Sequence, residues 1–271
     1  MKNIFVQSAT VVLVLLVASC QKMDRPPLGD YPQDSNPPGG PLKFYAAFDG
    51  TTSNPQFNAV DSIRANFPAD NPLSSVDGAS GKAVQGTSDK AINYPGANDF
   101  KNSTSITIAF WVNNAVNPRT ELYFSLVDKD YWHASSAFML VEHGTPDKVQ
   151  LKFAIMDHWV EYIDNFNEPL LDGQWHHIAI TYDETTSKPG IYFDGVEVPL
   201  PPGAISNFAG LGPLNLKNAS NLVVAGWNKH AGLTGPTDSW ISSFSGKMDQ
   251  FRLYNKVLTP GEIQALYNSK L

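Results

Sequence analysis

A single cysteine in 271 residues leaves no intramolecular disulfide framework and no multi-cysteine zinc site to build. Charge is also scarce, at 17% of residues, with Lys+Arg 19 against Asp+Glu 26 and a formal net charge of −7. Nucleic-acid binding needs clustered positive charge to displace counterions from phosphate, so no nucleic-acid partner is expected. No apolar run reaches the roughly 20 residues that a membrane-spanning helix requires. Composition otherwise favours a folded β-rich chain. Hydrophobic residues make up 42%, enough to bury a sizeable core. Gly 20 and Pro 20 interrupt helices, while Phe 15, Tyr 10 and Trp 6 suit pleated surfaces.

The first twenty residues carry an address. Lys2 supplies a positive start, and residues 9–18 are apolar apart from Thr10. The stretch ends Leu16-Val17-Ala18-Ser19-Cys20, which resembles the lipobox of bacterial lipoproteins, where the cysteine is lipidated and becomes the mature N-terminus. Residues 1–19 are therefore expected to be a lipoprotein signal peptide and Cys20 the lipidation site. Residues 20–42 hold Pro26, Pro27, Pro32, Pro37, Pro38 and Pro41 with Gly29, Gly39 and Gly40, and read as a tether. Extended as polyproline II at about 3.1 Å per residue, it holds a domain up to roughly 70 Å from the lipid. Gln21 beside the cysteine fits outer-membrane sorting in bacteria with two membranes. Residues 43–271 are expected to form one domain.

That domain reads as a sandwich of short strands. Val149, Leu151, Phe153 and Ile155 alternate with Gln150, Lys152 and Ala154, the two-residue period of a half-buried strand. Similar patterns occupy 44–48, 105–112, 121–127, 138–143, 175–182, 191–193, 221–226 and 247–254. Asp194-Gly195 between apolar triplets marks a hairpin, since both turn positions tolerate positive φ. Thr259-Pro260-Gly261-Glu262 combines an N-cap, a first-turn proline and a capping-box glutamate, and predicts one C-terminal helix with Ile263, Leu266 and Tyr267 on one face. The expected fold is an all-β, two-sheet antiparallel jelly roll.

Several blocks carry a resemblance. They are Phe48-Asp49-Gly50, the run from Gly81 to Val84, the run from Ile106 to Val112, and Asp172-Gly173-Gln174-Trp175-His176-His177 with the residues through Asp183. Ile191 to Val196 and Phe244 to Asn255 follow. In this order they resemble the laminin G-like, concanavalin A-like family over residues 44–267. The resemblance implies a jelly roll that serves carbohydrate or protein recognition, without fixing a ligand. It also implies a calcium ion between the exit of the first strand and an aspartate on the last, positions matched here by Asp49 and Asp249. By strand parity Asp249 falls with Phe251 and Leu253 on the inward side, where a carboxylate needs compensation. A structural calcium, with backbone and water oxygens completing six to eight ligands, is one solution; backbone N–H donors alone are the other.

His176 and His177 are consecutive on a strand, point to opposite faces and cannot share an ion. One of them is expected as a hydrogen-bonded core residue. Trp132, Trp159, Trp227 and Trp240 fall outside the family blocks, in or beside segments that read as loops, accompanied by His133 and His158. Sugars present apolar C–H faces and hydroxyl rims, so indoles flanked by polar side chains suit a glycan platform. Trp132-His133 and His158-Trp159 are the foremost candidates. The glucanase relatives of the resemblance carry their catalytic acids at alternate positions on one strand. No such array appears, and Glu161, Asp164 and Glu168 are spaced by three and four. The expectation is a non-enzymatic, lipid-anchored envelope module that binds glycan. The alternatives are a hydrolase or lyase with an acid pair assembled from separate strands, and an adhesin domain with a protein partner in an uptake or adhesion complex.

Overall fold

The computed structural model describes residues 40–49, 56, 58–60, 65–67, 73–202, 205–206 and 208–270. The expected signal peptide, Cys20 and the tether through residue 39 lie outside the described residues. Among the described residues sixteen strands follow in chain order: β1 (Leu42–Ala46), β2 (Ser74–Asp77), β3 (Lys82–Gln85), β4 (Ile92–Tyr94), β5 (Ile106–Ala115), β6 (Thr120–Val127), β7 (Ser135–Thr145) and β8 (Lys148–Ile155). Then come β9 (His158–Phe166), β10 (Asp172–Asp183), β11 (Lys188–Phe193), β12 (Val196–Val198), β13 (Ile205–Ser206), β14 (Leu222–Val224), β15 (Ile241–Ser243) and β16 (Lys247–Tyr254), and helix α1 (Pro260–Ser269) closes the chain.

Two eight-stranded sheets form the sandwich. Sheet A runs β12-β11-β10-β5-β16-β3-β2, with β1 also paired to β16. Sheet B runs β13-β9-β8-β7-β6-β14-β4, with β15 joined to β6 by the one parallel pairing among the described strands. In the long strands the apolar phase aims at the other sheet. Ile106, Ile108, Phe110 and Val112 from β5 meet Val149, Leu151, Phe153 and Ile155 from β8 in one buried cluster. Phe110 stacks on Phe251 at 5.5 Å, and Phe44 meets Tyr94 edge-on at 4.7 Å. Truncating such a ring to alanine costs about 3–5 kcal/mol.

The Asp194-Gly195 hairpin forms as expected, with φ of 49° and 82°. The helix is also where its caps put it. Thr259 N–H donates to Glu262 Oε2 at 2.7 Å, and Glu262 N–H returns a bond to Thr259 Oγ1 at 3.3 Å. The helix covers the outer face of sheet A, where Ile263 is buried with Tyr45, Ala109, Ala179 and Tyr192, and Tyr267 stacks on Trp111 at 5.6 Å.

Two strand-level expectations are corrected. Trp159 lies beside the Met156-Asp157 turn but on a nine-residue strand, β9, that the sequence pattern does not mark. Its alternation is broken where the register shifts between the Val149↔Phe166 and Leu151↔Tyr162 pairs. Asp249 does not share a face with Phe251. Gln250 adopts φ 51° and the register to β5 shifts between Asp249 and Arg252, so an inserted residue turns Asp249 onto the outer face beside Trp111. Its burial, inferred from the wrong parity, is nonetheless complete.

Candidate functional site

On the outer face of sheet B a cleft of about 360 Å³ is lined by Trp132, Phe138, Lys152, Ala154, Asp157 and Trp159. Its floor follows from strand pairing, because Phe138↔Ala154 and Ala154↔Trp159 are neighbours across β7, β8 and β9. Its walls are indoles that remain 46% (Trp132) and 38% (Trp159) exposed. Large aromatic rings left this open on a folded domain favour a ligand surface over a packing role.

Trp132 enters from the connection between β6 and β7, in a single 3₁₀ turn that ends in two left-handed residues, His133 and Ala134 at φ 53° each. That strained turn is held from below. Trp227 Nε1 donates to His133 O at 3.2 Å, Asn228 Nδ2 donates to Ala134 O at 3.0 Å, and the Ser125 hydroxyl bonds Asn228 Oδ1 at 3.0 Å. It is also held from the side, where Trp132 N–H donates to Asp157 Oδ1 at 2.9 Å. Asp157 belongs to the Met156-Asp157 turn joining β8 to β9, both residues with positive φ, so the turn that aims Trp159 also anchors Trp132.

The six candidate residues divide. Trp132, His133, Trp227 and Trp240 form one aromatic cluster, with the His133 ring 3.4 Å from Trp132, 5.1 Å from Trp227 and 5.9 Å from Trp240. Trp227 is only 1% exposed and supports the cluster from inside, because Phe138, Leu140 and Ile241 pack around it; it offers no face to a ligand. Trp240 is 45% exposed and its Nε1 donates to Asp238 Oδ1 at 3.3 Å, but it stands outside the cleft. Burial depresses the pKa of His133, opposed by the nearby Asp238 carboxylate. His158 faces away from Trp159: its Nδ1 bonds Met156 O at 2.7 Å and its ring meets Phe208 at 5.7 Å.

Asp49 and Asp249 are brought together by the segment between β2 and β3. Asp249 Oδ2 accepts from Ala79 N at 2.9 Å and Ser80 N at 3.2 Å, while Asp49 Oδ1 accepts from Lys82 N at 2.7 Å. Gly81 takes φ +60°, and a Cβ there would stand 2.0 Å from Asp49 Oδ1, so the wrap depends on glycine. Asp249 Oδ1 is buried with no partner. Burial, reinforced by the charge of Asp49 and opposed by the backbone donors and Arg252, pushes the Asp249 pKa up to about 7. An orphaned carboxylate oxygen beside a second acid fits a hard divalent cation. No cluster of three or more His, Cys, Asp or Glu able to hold a metal exists among the described residues, so the remaining ligands would be backbone and water oxygens.

The two histidines do occupy opposite faces. His176 stacks on Phe193 at 4.7 Å and bonds Asp194 Oδ2 at 2.9 Å and Asp172 Oδ1 at 3.1 Å. Burial disfavours its charge, but the two carboxylates prevail and raise its pKa. His177 is fully buried against Trp111 with neither ring nitrogen partnered, and desolvation, aided by Arg252, holds its pKa at about 3. The acids Glu161, Asp164 and Glu168 do not converge: Glu161 lies 3.4 Å from Lys152, Asp164 bonds His143 at 3.1 Å, and Glu168 follows β9.

Residues 85–264 match the profile of a laminin G family within the Concanavalin A-like lectin/glucanases superfamily, and the chain belongs to that superfamily. A rat protein named for its Sushi, von Willebrand factor type A, EGF and pentraxin domains is 30% identical over 154 residues, covering 51% of this chain and 4% of that protein. The chain thus spans a small fraction of this curated relative. Among solved structures, domain 4 of AbnA, an extracellular arabinanase from Geobacillus stearothermophilus solved with arabinotriose, superposes with a TM-score of 0.56 at 17% identity, covering 83% of this chain and 98% of that one. The receptor binding domain of botulinum neurotoxin C/D mosaic serotype gives 0.58 at 11% identity, covering 85% and 51%. Trypanosoma rangeli sialidase gives 0.54 at 13%, covering 85% and 33%. These likenesses establish the jelly-roll fold.

Proposed function

We propose that this domain is a non-catalytic glycan-binding module. The observation that carries it is the pair of exposed indoles, Trp132 and Trp159, facing one cleft on the outer face of sheet B. A sugar ring inserted there stacks its C–H face on indole, rests on Phe138 and Ala154, and meets Lys152 and Asp157 with its hydroxyls. The arabinanase domain with bound arabinotriose lends support, since a module of the same fold holds an oligosaccharide. The test is glycan-array binding by the purified protein. Trp132→Ala combined with Trp159→Ala is expected to lower binding about 10- to 100-fold. Unchanged binding removes the assignment, and capture of a protein partner that competing sugar does not displace favours the adhesin alternative.

One observation favours hydrolysis as a second reading. Glu142 on β7 and Glu161 on β9, the strands on either side of β8 beside the cleft, both bond the Gln150 amide, so two carboxyls stand close on one face. Reducing-end release that disappears in Glu161→Gln would establish it; binding without product release favours the module.

At Asp49 and Asp249 a calcium ion would join the exit of β1 to β16 and neutralise the buried carboxylate. Its role there is structural. Cys20 would carry the lipid that holds the module at the bacterial cell envelope, at the outer membrane. Palmitate labelling lost in Cys20→Ala, followed by membrane fractionation, tests both statements.

A further inference from the structure

From Lys152 in the cleft, sheet B continues along β8 into a line of polar side chains. Lys152 pairs with Leu140 on one side and Glu161 on the other, forming the cross-strand row next to Phe138, Ala154 and Trp159. Lys152 Nζ lies 3.4 Å from Glu161 Oε1 and 6.0 Å from the Trp159 ring centroid. One row further, Gln150 Nε2 donates to Glu142 Oε2 and, at 3.4 Å, to Glu161 Oε1. All four polar side chains are half-buried, tied to one another in a line that leads out of the cleft. At about 3.3 Å of rise per residue, Ala154 to Gln150 spans roughly 13 Å, longer than a single sugar ring.

Between Ala154 and Gln150 the charge along this line is predominantly acidic. Asp157, Glu161 and Glu142 outnumber Lys152, and Glu161 already pairs with that lysine. Lys148 and His143 stand exposed at the far end, where His143 is bonded to Asp164. A carboxylate or sulfate on a ligand laid here meets like charges in partly desolvated surroundings, which disfavours it strongly. Uncharged hydroxyls, in contrast, donate to carboxylates and exchange hydrogen bonds with an amide.

Resting on the glycan assignment of the cleft, we infer that Trp132 and Trp159 mark one end of an extended face along β8. The ligand is an uncharged linear glycan bound over several consecutive units, and chains bearing uronate or sulfate are excluded by Glu142 and Glu161.

NMR titration of the purified protein tests this, with neutral arabino-, xylo-, gluco- and manno-oligosaccharides of one to six units against oligogalacturonate and sulfated galactan fragments of matching length. Affinity for one neutral series is expected to rise at least tenfold from one unit to four, with acidic chains at least tenfold weaker. Gln150→Ala removes most of the gain with length and spares the single-unit affinity. Glu142→Gln with Glu161→Gln narrows the gap between neutral and acidic chains, and Trp132→Ala weakens every length. Affinity that is flat with length, acidic chains bound as well as neutral ones, or a length dependence intact in Gln150→Ala overturns the extension and leaves the cleft standing. No binding of any chain, or indifference to Trp132→Ala in a variant with an unchanged circular-dichroism melt, overturns the cleft as well.

Discussion

The two outer faces of the sandwich are built alike and finished differently. Sheet A presents Trp111, His177 and Arg252 outward, and helix α1 lies across them, leaving polar atoms such as Trp111 Nε1, both His177 nitrogens and Arg252 Nε buried and unpartnered. Sheet B presents Phe138, Ala154 and Trp159 outward; the segment after β14, with Trp227, covers only part of that face, and Trp132 and Trp159 stay open. A buried polar atom without a partner costs stability, whereas an exposed indole costs little and gains its contacts when a ligand arrives. One face therefore serves the fold and the other is free to serve recognition.

This contrast can be broken from either side. The largest effect is expected from Trp111→Ala on the sealed face, a loss of about 3–5 kcal/mol in urea melts. Trp159→Ala on the open face should stay within about 0.5 kcal/mol. If the two variants lose equal stability, the division of labour is wrong. The proposed calcium comes next, between β16 and the segment that joins β2 to β3. At a hundredfold excess over its dissociation constant it should stabilise the protein by about 2.7 kcal/mol, an increment that EDTA or Asp249→Asn removes.

Titration is smaller over any single pH unit and has a sign. His177 is held neutral by burial, so its contribution is fully present above its unfolded pKa of 6.5 and is lost as pH falls toward 3. Between those values the wild type should lose up to about 1.4 kcal/mol per pH unit that His177→Gln does not lose. His176 works in the opposite sense: its raised pKa gives stability that is present below 6.5 and lost as pH climbs through the folded value. Lys152→Met is expected to change stability as little as Trp159→Ala, within about 0.5 kcal/mol by the same urea melts, while affinity for neutral sugar shifts severalfold.

Local chemistry made much of the molecule readable from its residues. The Thr259–Glu262 caps, the Asp194-Gly195 turn and the alternation of β8 each depend on neighbours in sequence, and each formed as expected. Periodicity failed where the chain inserts residues. The shifted register of β9 hid a strand, and the bulge at Gln250 moved Asp249 to the face opposite the one its parity suggested. Within the site, the tryptophans were visible as residue types, but which of them pack and which stay open is set by contacts distant in sequence. Trp227 is buried by Phe138, Leu140 and Ile241, a fact its neighbours do not encode. Met156-Asp157 lacks the glycine or asparagine that announces a two-residue turn, so the pairing that sets Ala154 beside Trp159 went unseen.

The hydrogen bond from Trp132 N–H to Asp157 gives the cleft one rigid jaw and one exchangeable jaw. Trp159 is fixed by a strand inside the sheet, whereas Trp132 rides on a short connection clipped to the hairpin tip. Lengthening or reshaping residues 128–134 resets the gap between the rings without touching the sandwich. On the proposed glycan assignment, changes confined to that one loop would let the cleft take flatter, bulkier or differently linked saccharides.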